Sequence, residues 1–260
     1  MATNGTTRIR NPKAAAWDRL GASYWDHGYD GGPTHEGCGL YLDGVEAGQA
    51  VAVIGASTVR LVRASLRRDA VLTVADFSAV MLHDLAVLIG DGARYLHADV
   101  TVPDALPSTA FDAVLADRLI NRFTLAELEK ALTTLVASLR PQGQLRLSYR
   151  VGLYERDLPV IEEARRRGEL AAVFDEEVFD VDYSGAADWL GTVLSPHGQI
   201  PMADLVEFYV RRGREHRLHE GELDNLLDRI AASNNWRFTV THLDLPSTGR
   251  DRMLVVARHS

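Results

Sequence analysis

From Ala50 the chain alternates two hydrophobic rhythms. Short continuous apolar runs stop abruptly at a glycine or an aspartate, and longer stretches follow with apolar residues every three or four positions. Ala50-Val51-Ala52-Val53-Ile54 ends at Gly55, Val71-Leu72-Thr73-Val74-Ala75 at Asp76, Arg94-Tyr95-Leu96-His97-Ala98 at Asp99, and Phe111-Asp112-Ala113-Val114-Leu115-Ala116 at Asp117. Unbroken apolar runs of this length suit strands buried on both faces of a parallel sheet. Between them Val59, Val62 and Leu66, then Met81, Leu82, Leu85 and Leu88, carry helical spacing, the second set behind Ser78 as a cap. Thr124 and Glu127 stand at capping-box spacing before Leu125, Leu128, Leu132, Leu135 and Leu139. Arg140-Pro141-Gln142-Gly143 is read as the stop of that helix, and Gln144 to Tyr149 as a fifth strand. Repeated strand–helix alternation predicts βαβ units.

The rhythm changes twice more. Arg150 to Gly221 looks mostly helical with no clear strand, and is expected to be an insertion over one end of the sheet. Glu222 to Ala232 reads as a helix. Trp236 to Leu243 and Arg252 to Ala257 read as strands joined by Asp244 to Asp251, with Pro246 and Gly249 in the turn. A linker this short cannot make a parallel crossover, so the last two strands are expected to pair antiparallel. The expected architecture is α/β, a mostly parallel seven-stranded sheet with a C-terminal antiparallel hairpin. Residues 1–47 form an N-terminal helical lid, 48–150 the core, 151–221 the helical insertion, and 222–260 the closing helix and strands.

Composition narrows the function classes. Net charge is −8, against the basic face that nucleic acid favours. The arginine runs 165–167 and 211–214 are read as solvated helix faces. No apolar run approaches the roughly 18–20 residues of a membrane helix, and Met1 to Pro12 lacks an apolar signal core. Cys38 is the single cysteine, which excludes an internal disulfide and a cysteine-based zinc site. His35 and Glu36 lack further ligands at metal spacing, so no metal is expected. A cytoplasmic protein with a small-molecule substrate, and no nucleic-acid or membrane partner, is the expectation. The pattern does not set oligomeric state, and a homodimer is among the states it allows.

Ligands of open α/β sheets bind beyond the carboxyl ends of the strands. Gly55 admits a close ligand approach. Ser57 or Thr58 can cap the next helix and offer a donor to a carboxylate. Asp76, 21 residues after Gly55, can accept from both ribose hydroxyls, and Asp99 from an adenine amino group. A dinucleotide site would need three glycines, whereas this loop reads Gly55-Ala56-Ser57-Thr58-Val59-Arg60. S-adenosylmethionine (SAM) carries no phosphate and tolerates that loop.

These motifs resemble the class I SAM-dependent methyltransferases from about Val51 to the C-terminus. Val53 to Leu61 is similar to the branch whose first loop reads Gly-Ala/Ser-Thr/Ser, Thr73 to Met81 to the ribose motif, His97 to Thr101 to the adenine motif, and Phe111 to Asp117 and Leu139 to Gln144 to later motifs. The resemblance implies a Rossmann-like fold, SAM as cosubstrate, and a cofactor site of Gly55, Ala56, Ser57, Thr58, Asp76, Phe77, Met81, Asp99, Val100 and Asp117. Tyr24 and Tyr29 are expected in a lid over SAM. Asp117, Arg118, Asn121 and Tyr149 are the candidates at the reacting end, where Arg118 and Asn121 can bind a carboxylate, and Arg150 shares that sheet edge. Small-molecule methyl transfer is the leading reading. A looser resemblance to enzymes that cyclise SAM to an azetidine, releasing methylthioadenosine, keeps non-methyl chemistry open, aminocarboxypropyl transfer included. A non-catalytic SAM-binding regulator is the third reading.

Overall fold

The computed structural model describes residues 11–20, 24, 32–198, 200–245 and 250–259. Seven strands form the main sheet: β1 (Ala50–Ile54), β2 (Val71–Asp76), β3 (Arg94–His97), β4 (Phe111–Ala116), β5 (Leu139–Arg150), β9 (Phe238–Asp244) and β10 (Asp251–Arg258). Their order is β3-β2-β1-β4-β5-β10-β9. The first five pair parallel, and β10 runs antiparallel between β5 and β9. The fold is the expected Rossmann-like one, and the closing hairpin has the expected sense. Its turn residues Pro246 and Gly249 lie outside the described residues.

Alternation along β1 shows why both faces must be covered. Val51 and Val53 belong to one core, Ala52 and Ile54 to the other. The first core is closed by α3 (Val59–Leu66), α4 (Ala79–Ile89), α2 (His35–Tyr41) and α1 (Pro12–Leu20). The second is closed by α5 (Leu125–Ala137) and α9 (Glu222–Asn234), through Leu128, Leu132, Leu135, Leu226 and Leu227, each at most 1% exposed. Each such leucine contributes about 1.5–3 kcal/mol of burial. Thr124 and Glu127 form the full capping box at the start of α5, and Ser78 caps α4 through the Met81 amide. Among the described residues no helix is long and apolar enough to cross a membrane.

Two readings of the pattern need correction. Leu139 is the first residue of β5, opposite Phe111, and the helix stops at Ala137 with Ser138 as its cap. The segment 140–143 is an irregularity inside the strand. Gln142 sits at φ 68, and a Cβ on Gly143 would stand 2.9 Å from the Arg140 carbonyl oxygen. The bulge lets β5 keep Leu139 buried while regaining register at Gln144. The insertion also contains strands. β6 (Phe174–Asp175), β7 (Asp180–Asp182) and β8 (Arg214–His216) form an antiparallel sheet beside α6 (Asp157–Arg167), α7 (Leu170–Val173) and α8 (Met202–Arg212). Two- and three-residue strands are too short to show alternation, so the pattern could not reveal them.

A buried ionic network fastens the insertion to the sheet. Arg217 is fully buried. Its Nε and Nη2 donate to the two oxygens of Asp157 at 2.7 and 3.0 Å, and Nη2 also to Glu215 at 3.1 Å. Nη1 donates to the carbonyl of Asn121, just past β4, at 3.2 Å. The arginines nearby hold the carboxyls of Asp157 and Glu215 below the ordinary range, although burial alone would raise them. A depressed carboxyl stabilises the fold above its unfolded pKa of about 4 and loses that contribution as pH falls through the folded value. Arg217→Met is expected to cost about 3–5 kcal/mol, because two buried carboxylates lose their bidentate or bridging partner. Urea unfolding reads this as a lower midpoint at unchanged slope; a shift below about 1 kcal/mol would mean that the network does not fasten the insertion.

Candidate active site

Beyond the carboxyl ends of β1, β2, β3 and β4 lies one cleft. Its cavity volume is about 150 Å³, far more than the roughly 10–15 Å³ one water needs. Ile54 and Gly55 line it from β1, Ala75, Asp76 and Phe77 from β2, Ala98, Asp99 and Val100 from β3, and Asp117 and Arg118 from β4. The four tips converge because strand order reverses between β1 and β4, which sends their helices to opposite faces.

The first loop is shaped by its backbone. Gly55 has φ 105, a conformation that L-residues avoid, and the space its Cβ would enter holds nothing within 4 Å. Thr58 precedes α3 but does not cap it; its hydroxyl turns back to the Gly55 carbonyl at 2.7 Å. The hydroxyl thereby braces the glycine turn. Ser57 and Thr58 both line the cleft, and Ser57 hydrogen-bonds Tyr24.

Asp76 is 8% exposed. Its Oδ2 accepts from the Ala56 amide at 2.6 Å and its Oδ1 from the Ser78 amide at 2.7 Å. A carboxylate offers about four lone-pair sites, so two amides leave capacity for further donors. Burial pushes its pKa up to about 6, against the two amides, which favour the ionised form. Asp99, 6% exposed, accepts from the Thr101 amide and hydroxyl on Oδ1 and from Asn11 Nδ2 at 2.9 Å on Oδ2. Asp117 accepts from Ser148 Oγ at 2.7 Å and from the Tyr41 hydroxyl at 3.1 Å, both on Oδ1. Burial raises its pKa as well. Arg118 follows at φ 50, its amide held by Ser148 Oγ at 2.7 Å and its guanidinium 3.2 Å from Asp251. A left-handed arginine at a strand tip is a strained position of the kind found where ligands bind.

Of the residues singled out in the sequence, Tyr24, Gly55, Ser57, Thr58, Asp76, Phe77, Asp99, Val100, Asp117 and Arg118 are brought together here. Others have different work. Ala56 and Met81 are buried in the core behind the loop and in α4. Asn121, 1% exposed, exchanges two hydrogen bonds with the Arg150 backbone and locks the end of β5. Tyr149 points into a second pocket beside Asp224, its hydroxyl 2.7 Å from His242 Nδ1. Side chains alternate along β5, so Tyr149 and Ser148 reach opposite faces, and only Ser148 reaches Asp117. Arg150 is paired with Asp251 and Glu155. Tyr29 lies outside the described residues. His35 and Glu36 are exposed on α2, and among the described residues no group of three or more His, Cys, Asp or Glu converges as a metal would require.

Five polar or aromatic residues of this cleft are among those the sequence reading missed. Asn11, Lys13 and Trp17 come from the start of the chain, Arg122 from the turn after β4, and Arg212 from the end of α8. Lys13 bonds the Arg122 carbonyl at 2.8 Å and Glu127 at 2.5 Å, which pins α1 to the mouth of the site. Arg212 belongs to a run read as solvated, yet it is 4% exposed and paired with Glu215. Nothing local marked Lys13 or Arg212: the Glu127 that Lys13 meets is 114 residues away in sequence.

Neither a family model nor a curated protein sequence matches the chain. Solved structures do. A Rhodobacter sphaeroides protein provisionally named as a Zn-dependent alcohol dehydrogenase is 35% identical, with 97% of this chain and 100% of that one covered and a TM-score of 0.88. A Burkholderia thailandensis 1,6-didemethyltoxoflavin-N1-methyltransferase, solved with its substrate and S-adenosylhomocysteine, is 15% identical over 96% and 88% of the two chains, at TM-score 0.56. A SAM-dependent methyltransferase from Mesorhizobium loti is 14% identical over 82% and 92%, at 0.51. The chain belongs to one family with the Rhodobacter sphaeroides protein, and its fold is that of the class I SAM-dependent methyltransferases.

Proposed function

We propose that the protein is a SAM-dependent methyltransferase acting on a small molecule by in-line displacement at the sulfonium methyl. The observation that carries this reading is the single cleft shared by a glycine turn and two buried carboxylates at successive strand tips. The residues present fit SAM one by one. Gly55 leaves open space where a side chain would stand. Asp76 keeps acceptor capacity for ribose hydroxyls, and Asp99 holds an acceptor beside Val100 for an adenine. Trp17 and Tyr24 stand edge to face at 5.4 Å on the wall, where aromatic rings favour a cation.

SAM supplies an activated methyl carbon: the acceptor's lone pair forms the new bond as the carbon–sulfur bond breaks, and S-adenosylhomocysteine leaves. The protein's own part is to orient, to exclude water and to receive a proton. Asp117 is placed for the last task. Among the described residues both of its hydrogen bonds fall on Oδ1, and its raised pKa suits a group that takes a proton from an acceptor. Arg118 holds the same corner through its backbone bond to Ser148.

The relative's provisional name raises a dehydrogenase reading, which the donor set does not favour. The only cysteine, Cys38, is buried in the hydrophobic core of α2. The first loop also carries one glycine where a pyrophosphate needs three. An antiparallel β10 wedged between β5 and β9 departs from the all-parallel dinucleotide order.

Incubation with SAM alone, followed by identification of the nucleoside, tests the reaction. S-adenosylhomocysteine that forms only when an acceptor is added is expected; methylthioadenosine formed without acceptor would replace methyl transfer by cyclisation. Asp76 generates a second expectation. A ribose acceptor must be ionised, so S-adenosylhomocysteine affinity is expected to be flat above about pH 6 and to weaken by up to about tenfold per unit below it. Asp76→Ala is expected to weaken binding at about pH 8 by about 1–3 kcal/mol and to abolish that pH step. Calorimetry showing the step intact in the variant would take Asp76 off the ribose.

A further inference from the structure

A third, smaller pocket opens off the cleft and shares Trp17, Tyr24, Arg122 and Arg212 with it. Its outer wall is apolar, with Leu205 and Phe208 of α8 and Ile200 before it. Its floor is cationic. Four guanidiniums meet here, those of Arg122, Arg156, Arg212 and Arg217, and among the described residues only two carboxylates answer them, those of Asp157 and Glu215. Arg217 takes Asp157 with two bonds, and Arg212 takes Glu215 through Nε at 2.8 Å and Nη2. Arg122 stands 3.6 Å from the already engaged Glu215, beyond hydrogen-bond reach. Arg156 hydrogen-bonds neutral groups, the hydroxyls of Tyr183 at 3.3 Å and Tyr209 at 3.2 Å. The two arginines share the ring of Tyr154, at 5.6 and 4.6 Å from its centroid. Among the described residues, Nη1 of Arg122 and Nη2 of Arg156 are buried and donate no hydrogen bond.

That arrangement is expensive for a fold to keep. Buried charge is normally matched, and buried donors are normally satisfied. Arg156 is held above its ordinary value despite burial, because Tyr183, Tyr209, Glu215 and Asp157 face it. Burial, then repulsion from Arg212 and Arg156, brings the Arg122 pKa down to about 10. The Tyr209 hydroxyl lies below its ordinary value despite burial, because Arg156, Arg212 and Arg122 face it. The case for an anion rests on the two buried guanidinium donors that no described residue accepts from.

We propose that this side pocket binds the carboxylate of an apolar or aromatic acceptor, held by Arg122 and Arg156 while its reactive end reaches into the cleft. The proposal rests on the SAM-dependent reading above and names its substrate class. Paired guanidinium donors recognise a planar carboxylate bidentately, and the apolar wall of α8 takes the rest of the molecule. Trp17 lines both pockets and reports on either by its fluorescence.

The test titrates benzoate and benzamide, equal in shape and different in charge, into protein saturated with S-adenosylhomocysteine. Benzoate is expected to bind at least about tenfold more tightly, as a charged hydrogen bond implies. Arg156→Gln is expected to erase that preference and leave S-adenosylhomocysteine affinity within about twofold, and Arg156→Lys to keep part of it. Equal affinity for the two probes, or no binding of either, overturns the proposal. So does a loss in Arg156→Gln that falls on S-adenosylhomocysteine instead of benzoate, because the charge would then serve the cofactor's own carboxylate. Should Arg156→Gln fail to fold, the ratio of the two probes on the unaltered protein decides the matter: it is expected to persist from about 50 mM to about 500 mM salt, as for a buried pair, and its collapse overturns the proposal. Should S-adenosylhomocysteine not bind at all, the cofactor reading fails by itself, and the two probes on the free protein still read the anion site.

Discussion

A parallel sheet that adds strands first to one side and then to the other must part its helices at the point of reversal. Here that point lies between β1 and β4. α3 and α4 close one core and α5 the other, so the space above the strand tips belongs to no helix. Every feature of the site depends on this. Gly55, Asp76, Asp99 and Asp117 are distant in sequence and meet only because four strands end side by side. Helix starts and loop amides then equip the opening. Asp76 is fixed by Ala56 and Ser78, Asp99 by Thr101, and Asp117 by Ser148 and Tyr41. Each carboxylate is oriented by the scaffold before a ligand arrives, which lowers the cost of ordering it later.

The second constraint is electrostatic. Beside the apolar core it shares with the sheet, the insertion is tied down by a buried ionic network with Arg217 as the hub. Such a hub contributes little net stability compared with a packed hydrophobic equivalent, but it is costly to break on one side. It therefore fixes where α8 and β8 sit. That position brings Arg212 and Phe208 over Trp17, whose ring meets Phe208 at 4.9 Å and 86°. Among the described residues the same network leaves one buried donor on each of Arg122 and Arg156 without a hydrogen bond.

How much of this was legible in the sequence follows from the range of each signal. The strands β1 to β4 and their terminal Gly55, Asp76, Asp99 and Asp117 were visible because each is encoded within about ten residues. The antiparallel hairpin was visible because a short linker permits nothing else. The bulge at Gln142 and Gly143 was not, since the same four residues also describe a helix stop. Asn121 and Tyr149 show a different limit. Their types and positions suited chemistry, yet one is bound to the Arg150 backbone and the other faces His242 across the sheet. The period-two geometry of β5 settles that once the register is known, and the register depends on the bulge. The arginine cluster was least legible. Arg122, Arg156, Arg212 and Arg217 come from separate elements, and only the tertiary fold shows that their carboxylates are too few.

The proposed function requires that the cleft at the strand tips take an adenosine bearing a sulfur and not a dinucleotide. Parallel calorimetric titrations with S-adenosylhomocysteine and NADH test that most directly. The expected result is a single saturable site for S-adenosylhomocysteine, competed by adenosine, and no heat of binding for NADH. Saturable NADH binding with none for S-adenosylhomocysteine would contradict it.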